Sequence, residues 1–189
     1  MRPADDVRRI LLAERKPDKR LRLFGALLSG ESGLGTSGLT IVGGSAIELY
    51  TGGAYVSGDI DVIVSDRKPV EQVLRSWGFK DEGKLWTNDE LGLFVDLMQR
   101  DLTGSSTLTR VIETSYGPLR LGAIEDLILK RVLEARYWAQ KNALAQAILL
   151  VTRYGRELDW EYIDFKAKRE QIQDLVQELR KRGLRSRKK

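Results

Sequence analysis

Leu39-Thr40-Ile41-Val42-Gly43-Gly44-Ser45-Ala46-Ile47-Glu48-Leu49-Tyr50 changes character at its two glycines. Leu39 to Val42 is a short β-branched run that reads as a strand, and Ala46 to Tyr50 suits a helix. Gly43-Gly44 therefore falls on a strand-to-helix turn, where the backbone can approach an anion closely and the first N–H groups of the helix face it. Ser45-x-x-Glu48 also has the spacing of a capping box, in which the two side chains satisfy helix N–H groups without any ligand. The two readings of Ser45 are compatible in part, because a capping serine can rotate toward a phosphate.

Downstream, Asp59-Ile60-Asp61 leads into a second strand over 60–65. A helix follows over 68–77, with Val70, Val73, Leu74 and Trp77 on one face and Gly78 at its end. Strands are expected over 84–87 and 91–98, with Asn88-Asp89-Glu90 closing a hairpin, and a last strand over 110–114 with an extension at 119–121. Upstream, helices are expected over 4–15 and 18–29, separated by Pro17, with Val7, Ile10 and Leu11 on one stripe and Leu21, Phe24, Leu27 and Leu28 on the other. Ser29 to Gly38 reads as a flexible glycine/serine linker. Its Gly33-x-Gly35-x-x-Gly38 is discounted as a dinucleotide fingerprint, since it follows a helix and precedes a strand.

From Ala123 the pattern turns helical. Ile124, Leu127, Ile128, Val132 and Ala135 form one stripe, 143–154 is apolar almost all round and reads as a buried helix, and Asp159 caps the next. A final helix carries the seam Ile172, Leu175, Val176 and Leu179. The order of elements predicts an α/β (α+β) fold, a mixed sheet with flanking helices. Three segments are expected: N-terminal helices and loop over 1–38, a core over 39–121, and a helical C-terminal region over 122–189.

Composition narrows the chemistry. The 189 residues include no Cys and no His, which excludes thiol nucleophiles, Ser-His-Asp catalysis, histidine bases and the usual zinc sites. Carboxylates, Lys, Arg, hydroxyls and oxygen-ligated Mg²⁺ or Mn²⁺ remain. No run reaches the roughly 18 apolar residues of a membrane span and none reads as a signal peptide, so a soluble, cytoplasmic protein without a membrane partner is expected. The net charge of +5 is unevenly spread: Lys166 to Lys189 hold ten Lys/Arg and three acids, the rest 22 and 24. This basic tail reads either as a solvated helix with a frayed end or as a segment that follows RNA phosphates or an acidic partner.

On a strand, residues two apart share a face, so Asp59 and Asp61 are expected to project together while Ile60, Val62 and Val64 enter the core. Paired carboxylates repel unless a divalent cation neutralises them. Asp96 stands alone in the apolar run Leu93-Phe94-Val95-Asp96-Leu97-Met98, where an unpaired charge is costly to bury. If that strand lies beside the Asp59-Asp61 strand, the three acids converge on a two-metal site, with Asp96 placed to take a proton from an acceptor hydroxyl. Lys130 lies off the apolar stripe of its helix, four residues after Asp126; it reads equally as an exposed ion pair and as a lysine reaching phosphates.

These residues together resemble the DNA polymerase beta-like nucleotidyltransferase superfamily, with Gly44-Ser45 as its turn, Asp59 and Asp61 as its acid-x-acid strand end and Asp96 as its third acid. Glu125-Asp126-Leu127 to Lys130 and the helical C-terminal part look like the AbiEii-type toxins of toxin–antitoxin systems and their relatives. The resemblance spans roughly 39–165. It implies transfer of a nucleoside monophosphate from an NTP to an acceptor hydroxyl, with Mg²⁺ or Mn²⁺ on Asp59, Asp61 and Asp96 and the nucleotide on Gly44, Ser45 and Lys130. The acceptor favoured is RNA such as tRNA, met through the basic tail, with protein or a small molecule as alternatives and an antitoxin as a potential partner. A catalytically inactive nucleotide-binding or regulatory module is the other expectation. The family's aspartate on the helix after the lysine has no counterpart, since 140–147 contains no acid.

Overall fold

The computed structural model describes residues 1–99, 108–140 and 142–185. They divide into two compact units, one of residues 1–99 and 109–122, the other of residue 108 and the described residues from 123 onward.

The first unit opens with α1 (Ala4–Ala13) and α2 (Pro17–Glu31). Pro17 sits in the first turn of α2, where a missing N–H costs nothing. Val7 and Leu11 of α1 and Leu21, Phe24, Leu27 and Leu28 of α2 are buried, as their spacing predicts. The flexible linker does not form. Instead α2 continues to Glu31 and Gly35–Gly38 make a helical turn, α3. The Gly38 carbonyl accepts the Ser65 amide at 2.8 Å, a tertiary bond that glycine/serine composition does not reveal.

β1 (Leu39–Ile41), α4 (Gly43–Thr51), β2 (Ile60–Val64) and α5 (Arg67–Ser76) come next. Asp66 caps α5 by accepting the Lys68 amide, and Gly78, at φ +81°, follows it in a conformation that favours glycine. β3 (Lys80–Asp81), β4 (Trp86–Asn88), β5 (Leu93–Gln99), β6 (Arg110–Ile112) and β7 (Leu119–Leu121) complete the unit. The seven strands form one mixed sheet in the order β3-β4-β5-β2-β1-β7-β6. β2 runs parallel to β5 and β1 parallel to β7, while the β4–β5 hairpin and the other neighbours are antiparallel. The α/β class is thus the one the sequence predicts. β7, expected as a mere extension, is an interior strand; three residues are too few for periodicity to distinguish the two.

Alternation decides which side of the sheet is core. Ile60, Val62 and Val64 of β2, Val95 and Leu97 of β5, and Leu39 and Ile41 of β1 are buried. α2 comes so close to this sheet that a Cβ on Gly25 would meet Leu119 Cδ2 at 3.0 Å. Phe24 joins α2 to the end of α5 through an edge-on contact with Trp77, ring centroids 6.2 Å apart. The residues in between, Asp61 on β2 and Asp96 on β5, lie on the other face and are half-buried.

The second unit consists of α6 (Ile124–Tyr137), α7 (Ala143–Tyr154), α8 (Trp160–Arg169) and α9 (Gln173–Arg185). Asp159 caps α8, accepting the Tyr162 amide, as expected. The all-round burial expected for α7 is corrected: Ala143, Ala147, Leu150 and Val151 are buried, but Leu149 is 36% exposed, because apolar neighbours cover only one side. On that side a Cβ at Gly183 of α9 would overlap Val151 Cγ1, so glycine allows the close approach of the two helices. Ile172, Val176 and Leu179 are buried. Residues 186–189, the end of the basic tail, lie outside the described residues. Among the described residues, no helix is long and apolar enough to cross a membrane.

Candidate functional site

The site is built where β1 gives way to α4, beside β2 and β5. Gly43 adopts φ +58°, and a Cβ there would overlap Asp61 Oδ2, so conformation and space both require glycine. The next amide, Gly44 N–H, donates to Asp61 Oδ2 at 3.1 Å. The carboxylate on β2 thus lies against the first turn of α4, in the place that sequence spacing reserves for a capping side chain.

The capping box is therefore not what forms. Ser45 is fully buried; its hydroxyl donates to the Val42 carbonyl at 2.8 Å and accepts the Asp61 amide at 3.2 Å, bracing the turn against β2. Glu48 turns instead to the segment after the helix, where its carboxylate accepts the Ser57 amide at 2.7 Å. Only 3% of Glu48 is exposed. Burial raises its pKa above the usual carboxylate range and nearby Asp18 adds to the rise, against the lowering effect of the Ser57 amide. The Ser57 and Tyr55 hydroxyls stand next to Gly44, 2.6 and 3.2 Å from where a Cβ on that residue would lie.

Parallel pairing places Asp61 directly opposite Asp96, each the Cα partner of the other. Side chains so paired share one face of the sheet, and two like charges there destabilise it. Asp59 precedes β2, in a bend that ends at Ile60, so strand alternation no longer fixes its direction. Among the described residues, no group of three or more His, Cys, Asp or Glu side chains is gathered so as to hold a metal ion. Two carboxylates on one face of a sheet are the kind of donor set that Mg²⁺ takes together with substrate phosphates and water.

Lys130, on α6 of the second unit, is exposed. At the start of that helix Asp126 accepts the Tyr162 hydroxyl at 2.6 Å, and Glu125, almost fully buried, accepts the Asp159 amide at 3.0 Å. Burial and the Asp126 carboxylate push the Tyr162 pKa upward, keeping the hydroxyl protonated. In the acid-free stretch 140–147, Lys141 lies outside the described residues and α7 begins at Ala143.

Spacing alone missed Glu48, Tyr55 and Ser57 as parts of this neighbourhood. The signal for Glu48 was its position among Ile47, Leu49 and Tyr50, an acid inside an otherwise apolar stretch. Apart from this site, a cavity of about 300 Å³ between α1, the end of α5 and the β4–β5 turn is lined by Arg8, Trp77, Asn88 and Glu90, among others, and by none of the candidate residues. No protein-family profile, curated protein or solved structure matches this chain.

Proposed function

We propose that the protein is a metal-dependent nucleotidyltransferase that moves a nucleoside monophosphate from an NTP to an acceptor hydroxyl. The observation that carries this reading is the in-register pair Asp61–Asp96 lying beside the Gly43-Gly44 turn, where a carboxylate already sits against the helix N-terminus. Like charges kept side by side in a strand pairing cost stability, and a divalent cation offsets that cost. Asp61 and Asp96 would hold Mg²⁺ or Mn²⁺, with Asp59 close in sequence as a further oxygen donor. Bound there, the ion supplies Lewis-acid stabilisation of charge on the phosphoryl oxygens.

In the reaction the acceptor oxygen attacks the α-phosphorus, the bond from that phosphorus to the α–β bridging oxygen breaks, and pyrophosphate leaves. Asp96 is the base that receives the acceptor's proton. Gly44 supplies the close backbone approach and Ser45 keeps the turn fixed to β2; Lys130, which the resemblance gives for the nucleotide, belongs to the second unit. The resemblance to AbiEii-type toxins favours RNA such as tRNA as acceptor, the basic tail as its guide and an antitoxin as partner.

The test is Mg²⁺-dependent labelling of RNA, protein and metabolite pools from each α-³²P NTP. Labelling by the wild type and none by Asp61→Ala is expected; equal labelling by both sinks the assignment. Deleting residues 181–189 should weaken RNA labelling in a salt-dependent way and spare transfer to a small molecule. A second reading is a nucleotide-binding or regulatory module without catalysis. Nucleotide-induced thermal stabilisation with the NTP intact after long incubation would select it.

A further inference from the structure

We propose that Glu48 is a positioning residue that holds the segment 52–59 against the first turn of α4, and that the Tyr55 hydroxyl is thereby a contact for the phosphate oxygens of the nucleotide. This rests on the nucleotidyltransferase reading and adds to it a phosphate-binding side chain and the device that sets it in place.

Glu48 grips the segment at two points. Its carbonyl accepts the Gly53 amide at 3.0 Å, and its carboxylate accepts the Ser57 amide at 2.7 Å. Gly52, at φ +63°, ends α4 in the left-handed conformation that turns the chain back. Between the two grips lies Tyr55, half-buried, with its hydroxyl beside Gly44. The Ser57 hydroxyl flanks the same glycine, and the Gly44 amide leads to Asp61.

An alanine or leucine at position 48 would fill the helix without desolvating a charge, so packing does not account for this carboxylate. What it accomplishes is to fix a loop whose two hydroxyls surround the glycine of the phosphate turn. A hydroxyl donates to a phosphate oxygen without adding charge beside Asp61, and bonds of this kind to charged acceptors are among the stronger ones.

Equilibrium binding of each Mg²⁺·NTP to the full chain, with melting temperature recorded in parallel, tests the idea. Tyr55→Phe should weaken binding about tenfold with the melting temperature unchanged. Glu48→Ala should weaken it similarly, whereas Glu48→Gln, whose amide oxygen still accepts the Ser57 N–H, should retain wild-type affinity. Wild-type affinity in Tyr55→Phe overturns the phosphate contact while leaving the nucleotidyltransferase reading intact. Weakening in Glu48→Gln equal to that in Tyr55→Phe overturns the positioning role, and this comparison decides even if Glu48→Ala does not fold. Absence of Mg²⁺-dependent binding in the wild type overturns both the enzyme reading and this inference.

Discussion

At the start of α6, Glu125 accepts the Asp159 amide at 3.0 Å and Asp126 the Tyr162 hydroxyl at 2.6 Å, while in the sheet unit Asp61 and Asp96 face each other across paired strands. The two pairs differ in what stands opposite them. Those of the helical unit meet donors supplied by α8 and its cap, so they join elements of one unit and stabilise it. Asp61 accepts the Gly44 amide, and its strand partner is another acid, so the pairing itself sets like charge opposite like charge. An acid whose partners join two elements reads as architecture; an acid held in register with another acid is the candidate for a site.

The sharpest way to break this contrast is Asp96→Asn. On the proposed function it should lower nucleotide transfer at least about a hundredfold, the scale expected for loss of the group proposed to hold the metal and accept the proton. Yet urea unfolding should show stability unchanged or raised by about 0.5 kcal/mol, since the substitution relieves a cross-strand repulsion. A clear loss of stability would mean that Asp96 is structural after all.

Gly43→Ala should come next in size. It forces a Cβ into Asp61 Oδ2 at a positive φ, and should cost about 1–3 kcal/mol by urea unfolding as well as displacing the carboxylate. Gly30→Ala is the control, in a helix with nothing within 4 Å of the new atom, and should gain about 0.5–1 kcal/mol. In the helical unit, Glu125→Ala should lose about 1–2 kcal/mol, because the Asp159 amide loses its acceptor. If it proved neutral, the distinction between the two kinds of acid would fail.

The smallest effect is a pH dependence. Because burial raises the folded pKa of Glu48 above 4.5, the folded state binds more protons than the unfolded one between those two values. That contribution favours folding below the unfolded value and is lost as pH rises through the folded one. Glu48→Gln removes the titration, so its melting temperature should exceed the wild type's at pH 7, with the difference shrinking as pH falls toward 4. A difference independent of pH would show that Glu48 does not titrate in this window.

Much of the fold was legible because its determinants are local. The apolar spacing of α1, α2 and α5, the Asp159 cap and the existence of the β4–β5 hairpin depend on residues a few positions apart, although Asn88, expected in the turn, ends β4 and pairs with Leu93. The helical turn at Gly35–Gly38 was not legible, because a bond from Ser65 helps to anchor it. β3 and β7 are too short to show a period. Within the site, Gly43, Asp61 and Asp96 stood out by residue type. Glu48 was misassigned because a capping box is defined by spacing along the helix, whereas the carboxylate's partner lies in the following loop.

The sequence alone determined that a strand meets a helix through a glycine turn and that any chemistry must run on carboxylates, hydroxyls and cations, because backbone conformation and residue inventory are local properties. Tertiary structure alone decided that Asp96 stands opposite Asp61 rather than on some other strand, and that β2 begins at Ile60, after Asp59. Strand order and register come from burying Val62, Val95 and Leu97 together in one core, and that collective packing carries the acids between them into place.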